Sequence, residues 1–250
     1  MATWERLGGE LDSWRHVPHP ATFWWRDDDA TEVTSELETM VEISETTKTP
    51  VALAAIPGTL QPMLKNYLAK QRNAFVLQHG YMHRNHAPAP AKKSEFGPGR
   101  TMTLMLSELA EGWRRISTFD RALPVFVPPW NRYDAQLLPM LPGLGFRGFS
   151  AYRARRNGVP ARGLKQNNTH VDVVNWHERS FVGEAAALAL TIEHLRARRE
   201  GRADPEEATG LLTHHRVHDD ACWSFVRRFL DVTHRHPAAA WMSPSALFSA

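Results

Sequence analysis

Cysteine is almost missing: the 250 residues contain one, Cys222. A single thiol excludes an internal disulfide and any zinc site built on cysteine. Its place in the helical pattern of 219–232 marks it as a core residue. Long apolar runs are missing as well. No window approaches the roughly eighteen residues that span a bilayer. The amino-terminal Met1-Ala-Thr-Trp-Glu-Arg is not the apolar segment of a secretory signal, so the expectation is a cytoplasmic protein with no membrane partner. Charge of one sign is also scarce, with 30 Lys and Arg against 27 Asp and Glu and a net +3. Basic residues do gather in 147–165, as Arg147, Arg153, Arg155, Arg156, Arg162 and Lys165. Such a run is either a solvated loop or an electropositive rim that attracts an anionic substrate. No nucleic-acid-binding motif accompanies it, and nucleic acid is not an expected partner.

What is present is material for one large core. Hydrophobic residues make up 42% of the chain, and the length suits a (β/α) barrel. Short apolar strands are expected at 22–26, 51–56, 74–77, 124–127, 145–149, 171–174, 210–213 and 239–242. Helical spacing alternates with them at 34–46, 59–70, 102–118, 134–141, 184–199 and 219–232. Residues 1–20, polar and broken by proline, read as an N-terminal arm with one short helix, ahead of a catalytic domain over 21–250. The stretch 84–100, rich in Pro and Ala and holding Lys92, Lys93 and Glu95, reads as a long loop of the functional or mobile kind. No repeat or linker divides the chain. The fold class is α/β, one mostly parallel domain closed as a barrel.

Two strand ends carry chemistry. Asp27, Asp28 and Asp29 follow the aromatic run Phe23-Trp24-Trp25, and three adjacent carboxylates repel one another unless a cation sits among them. His79 and His83 follow the strand at 74–77, four residues apart, so one turn or a tight loop can aim both at one ion. Asp, His and His are a donor set for Zn²⁺ or a similar first-row divalent ion, with positions left for water and substrate. HxxxH alone is as well explained by a surface helix; the acidic cluster on a neighbouring strand is what favours the metal. A third strand end presents His214, and an imidazole with an ordinary pKa of about 6.5 can protonate a leaving group. His214, His215 and His218 can equally form a surface turn in a chain with 13 histidines.

The order of these motifs resembles the polysaccharide deacetylases, the NodB-homology domain of carbohydrate esterase family four. Arg26-Asp27-Asp28-Asp29-Ala30 resembles that family's Thr-Phe-Asp-Asp-Gly, and His79-Gly80-Tyr81-Met82-His83 its His-Ser-x-x-His. Val127-Pro128-Pro129-Trp130 resembles its Arg-Pro-Pro-Tyr/Trp. Asp172 to Trp176 resembles Asp-x-x-x-Trp, and Leu212-Thr213-His214 resembles Leu-x-His. The resemblance spans 26–214 and implies a distorted (β/α)7 TIM-like barrel. It implies Asp28 as general base, and Asp29, His79 and His83 as ligands of one divalent metal, Zn²⁺ first, with Co²⁺, Ni²⁺ or Mn²⁺ able to replace it. Asp27 as base with Asp28 as ligand is the competing register; the small Ala30 in the glycine position favours the first.

By the same resemblance His214 is the general acid and Asp172 the carboxylate that orients it. Pro129, Trp130, Arg132 and Trp176 line the substrate groove. The motif-three arginine that pairs with the base is replaced by Val127, and Arg26 or Arg132 is the candidate substitute. The implied reaction is hydrolysis of an N-acetyl or other acyl group on an amino sugar or oligosaccharide. Without a secretory signal, a cytoplasmic acylated amino sugar is expected rather than peptidoglycan or chitin. A hydrolase of the same superfamily acting on a non-sugar C–N bond, and a non-catalytic carbohydrate-binding relative, are the competing readings.

Overall fold

The strand bearing the three aspartates is the axis of the molecule. The structure is a computed structural model that describes residues 1–249. In chain order its strands are β1 (Ala21–Ala30), β2 (Val51–Ala55), β3 (Ala74–His79), β4 (Ala122–Val127), β5 (Gly148–Phe149), β6 (Lys165–Gln166), β7 (Val171–Asp172), β8 (Val174–Asn175), β9 (Ser180–Phe181), β10 (Thr209–Thr213) and β11 (Ala239–Trp241). The helices are α1 (Trp4–Ser13), α2 (Ser35–Thr47), α3 (Pro62–Leu68), α4 (Met102–Ile116), α5 (Glu184–Arg199), α6 (Asp220–Arg235) and α7 (Pro244–Phe248). Eight strands follow one another in the order β6-β5-β4-β3-β2-β1-β10-β7, and β11 also pairs with β1. Every pairing in this sheet is parallel. The sheet curls into the open, distorted (β/α)7 barrel expected from the sequence. β8 and β9 form a separate antiparallel hairpin.

Period-two alternation sorts β1 into two faces. Phe23 and Trp25 point outward into the layer of helices, sharing a core with Met40 of α2 and Phe225 and Phe229 of α6. Trp24 points into the barrel with Ala52, Ala54, Leu77, Val125 and Val127, and Phe248 of α7 closes that end. The inner face of β2 is small: Ala52 stands beside Arg26 and Ala54 beside Asp28. That leaves space inside the barrel for the Arg26 side chain. Gly210 on β10 is required for a similar reason, since a Cβ there would lie 2.5 Å from Trp24 Nε1.

The structure departs from the sequence reading in several places. β1 does not stop at Arg26 but runs on through the aspartates, because pairing to β2 and β10 overrides their low strand propensity. Residues 1–20 hold the one short helix expected, α1, and it is packed on the domain. Leu7, Leu11 and Trp14 are buried, and Glu10 pairs with Arg199 of α5 at 2.8 Å. The helix expected over 59–70 begins only at Pro62. The helix expected over 134–141 is a 3-10 stretch, Ala135–Leu144, in which Pro139 and Pro142 remove amide donors. The strand at 171–174 breaks after Asp172, and the polar two-residue β6 was not anticipated. No helix among the described residues is long and apolar enough to cross a membrane.

At the amino-terminal ends of β7 and β10 the rings of His170 and His194 stack 3.4 Å apart beside buried Glu207. These three groups form a metal-like cluster, but the hydrogen bonding argues against coordination. Gly210 N donates to His170 Nδ1 at 2.9 Å, which places the proton of the neutral ring on Nε2, the atom facing Glu207. Burial pushes His170 well below the ordinary histidine range. Burial, helped by His170, pushes His194 down to about 2. The folded protein therefore keeps both rings neutral while the unfolded chain protonates them near pH ~6.5, so stability falls as pH drops below that value. His194→Gln should lose less stability than the native protein between about pH 7.5 and 5.5 in thermal melts. Equal losses would contradict the assignment.

Candidate active site

A cleft of about 470 Å³ at the carboxyl ends of the strands brings together Asp28, Asp29, His79, His83, Trp130 and His214. Open α/β sheets place their chemistry at this end. Strict alternation would put Asp29 on the outer face with Asp27. Instead β1 shifts register against β2 between Asp28 and Ala30, and Asp29 takes a left-handed backbone with φ 74. Asp tolerates that conformation better than most residues. The bulge turns Asp29 into the cleft beside Asp28, as bulges near functional sites commonly do.

Asp29 Oδ1 lies 3.3 Å from His79 Nε2 and 3.4 Å from His83 Nε2. It is buried and has no hydrogen-bond partner. Donor atoms about 2.1 Å from a tetrahedral ion lie about 3.4 Å from one another, so the spacing fits a Zn²⁺-type ion. The proton arrangement fits as well. His79 Nδ1 donates to Val127 O at 3.1 Å, the second-sphere contact typical of a metal-bound imidazole. Nε2 then faces Asp29 either with a lone pair, which a carboxylate repels, or with a second proton. Although burial opposes it, the carboxylates of Asp28 and Asp29 raise the pKa of His79. Burial, together with His79, pushes His83 down to about 4, leaving it neutral. The three groups hold a place for a cation.

The turn that presents His83 is held from a distance in sequence. Gly80 has φ 58, and a Cβ there would lie 2.1 Å from Glu95 Oε2 and 2.4 Å from Pro129 Cγ. Glu95, fully buried, accepts from Tyr81 N at 3.1 Å and Met82 N at 2.7 Å. It arrives on the long loop 84–100, and nothing in its spacing announced the role. A glutamate in a Pro- and Ala-rich loop was the only signal.

Arg26 takes the position left open by Val127. Its Nε donates to Asp28 Oδ1 at 2.8 Å and its Nη2 to Asp28 Oδ2 at 3.0 Å. Nη1 donates to Ser150 Oγ and Ala151 O, and Nη2 also to Asn131 Oδ1. A guanidinium has five N–H donors, and all five are satisfied. Arg132 is elsewhere, donating to Lys93 O at 2.9 Å. Val127 lies in the apolar interior. Asp27, on the outer face, accepts from Thr213 Oγ1 at 2.7 Å, from His215 N at 2.9 Å and from His215 Nδ1. His215 escaped sequence reasoning because it looked like part of a histidine-rich turn.

His214 Nε2 stands 3.9 Å from Asp28 Oδ2. Asp172 does not orient it in the expected way. Its oxygens accept from Trp176 Nε1 at 2.9 Å and Val174 N at 3.0 Å, while His214 Nδ1 is buried without a partner. Burial raises the pKa of Asp172, and the charge of His214 works against that rise. His214 is instead flanked by the Trp176 ring, edge-on at 4.5 Å, which is 49% exposed to the cleft side. Trp130 sits 4.3 Å from the His83 ring. Trp130 and Asn131 both have left-handed backbones, with φ 54 and 55. Strain of this kind persists where surroundings enforce it, here through the Arg26–Asn131 bond. Pro129 is buried against Gly80.

No protein-family profile and no curated protein matches the sequence. Solved structures do match. A candidate polysaccharide deacetylase of Mycobacterium smegmatis superposes with a TM-score of 0.62 at 13% identity, covering 92% of this chain and 89% of that one. The chain has the fold of the family-four polysaccharide deacetylases. A family-four acetyl xylan esterase of Clostridium thermocellum with a cobalt ion gives 0.53 at 10% identity, over 91% and 90% of the two chains. A family-four pseudoenzyme of Bacillus anthracis gives 0.56 at 12%, over 93% of this chain and 66% of that one. The fold is shared by active and inactive proteins, so this chain's own residues must carry any catalytic conclusion.

Two consequences are measurable. Arg26→Leu leaves the Asp28 carboxylate buried without its cation and should lower unfolding stability by about 3–5 kcal/mol in urea titrations; a loss below about 1 kcal/mol contradicts the pairing. Glu95→Gln places an amide against N–H donors and should accelerate hydrogen exchange at Tyr81 and Met82. Unchanged protection there would show that the turn does not depend on Glu95.

Proposed function

We propose that the protein is a metal-dependent hydrolase that removes an N-acyl group from an amino sugar or related amide. The observation that carries the reading is convergence. One carboxylate faces two imidazoles in ligand geometry, a second is fixed by an arginine, and a third imidazole stands beside that second carboxylate. Asp29, His79 and His83 would hold the ion, Zn²⁺ by donor type, with Co²⁺, Ni²⁺ or Mn²⁺ able to replace it. When bound, such an ion polarises a carbonyl and lowers the pKa of water.

The chain's own residues divide the remaining work. Arg26 holds both oxygens of Asp28 at the cleft wall, with Oδ2 3.9 Å from His214 Nε2, and there Asp28 takes the proton from the attacking water. The water oxygen bonds to the acyl carbon and the C–N bond then breaks. His214 Nε2 gives its proton to the departing amine, yielding free amine and carboxylate. An amine leaves poorly without that proton, which is why a separate acid is needed for an amide. Trp130 and Trp176 offer flat faces suited to sugar rings, with Pro129 and Arg132 completing the groove. The catalytic unit begins at residue 21, with residues 1–20 as an extension packed on it. The competing reading, a silent fold relative, is disfavoured because base, acid and three ligands coexist in one cleft.

Purified protein supplied with zinc should release acetate from N-acetylated amino sugars, chelation should abolish the release, and added zinc should restore it. His214→Gln should lower turnover by about 10²- to 10⁴-fold. Absence of acetate from a broad panel of acetylated sugars and amides would sink the proposal.

A further inference from the structure

Among the described residues, two cations on the wall of the cleft have no carboxylate partner. The carboxylates of the cleft are engaged: Asp28 by Arg26, Asp29 by two imidazoles, and Asp172 by Trp176 Nε1 and Val174 N. The two cations are not. Among the described residues, neither Lys93 nor Arg132 has a carboxylate within 4.0 Å, and both line the cleft with Asp29 and His83. They are also held side by side. Arg132 Nη1 donates to the Lys93 carbonyl at 2.9 Å, and Ser94 Oγ donates to the Arg132 carbonyl at 3.3 Å. This ties the loop 84–100 to the turn at 130–132 and holds the Arg132 guanidinium against the Lys93 backbone, so that both unpaired cations belong to one wall of the cleft. A second cavity of about 450 Å³ shares Asn131 and Arg132 with the cleft and is also bordered by Lys92 and Arg100. There is room for a substituent larger than the scissile acyl group.

The basic run 147–165 does not compete for this role as a unit. Arg155 pairs with Asp204 at 2.8 Å, Arg147 donates to the Pro142 and Phe146 carbonyls, and Lys165 donates to Ser249 O.

We propose that Lys93 and Arg132 form an anion subsite that selects acylated amino sugars carrying a carboxylate or a phosphate ester near the scissile amide. Two unpaired cations on the wall of the cleft attract such a group, and a neutral sugar leaves them without partners. The inference rests on the deacylase reading, and its test separates the two. Three probes share one acetylated amine: N-acetylglucosamine, its 6-phosphate, and N-acetylmuramic acid, which bears a carboxylate. They are compared by kcat/KM with the zinc-loaded protein, with Lys93→Gln, which keeps the carbonyl that Arg132 needs, and with Lys93→Glu.

The native protein should prefer at least one anionic probe by about tenfold or more, and which one identifies the group. Lys93→Gln should reduce that preference several-fold and Lys93→Glu should remove it, mainly through KM. Equal kcat/KM for the three probes, or a preference unmoved by Lys93→Glu, overturns the subsite. If no probe is hydrolysed, the deacylase reading is decided by the wider panel, and calorimetric binding of the same three probes decides the subsite alone. Tighter binding of an anionic probe that Lys93→Glu abolishes supports it, and equal binding of all three overturns it.

Discussion

A buried guanidinium is costly unless every donor is met, and Arg26 meets all of its own. The five bonds reach Asp28 on its own strand, Ser150 and Ala151 past the end of β5, and Asn131 past the end of β4. The same group therefore fixes the Asp28 carboxylate and joins the loops that wall the cleft. It can do so because Ala52 and Ala54 leave the barrel interior open beside it. In the resembling family the base receives its arginine from the third motif. Here that position is Val127, buried in the apolar interior, and the arginine paired with Asp28 is Arg26, two residues before it. A charge relation has been kept while its position in the chain changed.

Much of this was legible in the chain. Alternating short strands and helices gave the barrel, and carboxylates and histidines at separate strand ends gave the candidate site. The assignment of Asp28 and Asp29 rested on the small Ala30, and both carboxylates line the cleft, which alternation alone would have denied to Asp29. Asp29 reaches the cleft only through a bulge, which depends on pairing with β2. Glu95 was invisible because its partners are backbone amides, which leave no side-chain pattern. Asp172 was misjudged because Trp176 and Val174 claim its oxygens, a competition set by the break in the strand after it. The first helix was underestimated because a few buried residues, Leu7, Leu11 and Trp14, anchor an otherwise polar segment.

Neighbours with this fold include a pseudoenzyme as well as an esterase, so the barrel does not decide the reaction. What distinguishes this chain is the division among its acidic groups. Asp27 bonds to His215 and Thr213 on the outer face, Asp28 is paired with Arg26, and Asp29 faces His79 and His83. Lys93 and Arg132, on the wall of the same cleft, have no carboxylate within 4.0 Å among the described residues.

The most direct measurement of that division compares Asp27→Asn, Asp28→Asn and Asp29→Asn for zinc content and acetate release. The account predicts that Asp27→Asn keeps both with reduced stability, Asp28→Asn keeps zinc and loses turnover, and Asp29→Asn loses both. Loss of zinc in Asp28→Asn with retention in Asp29→Asn would contradict it.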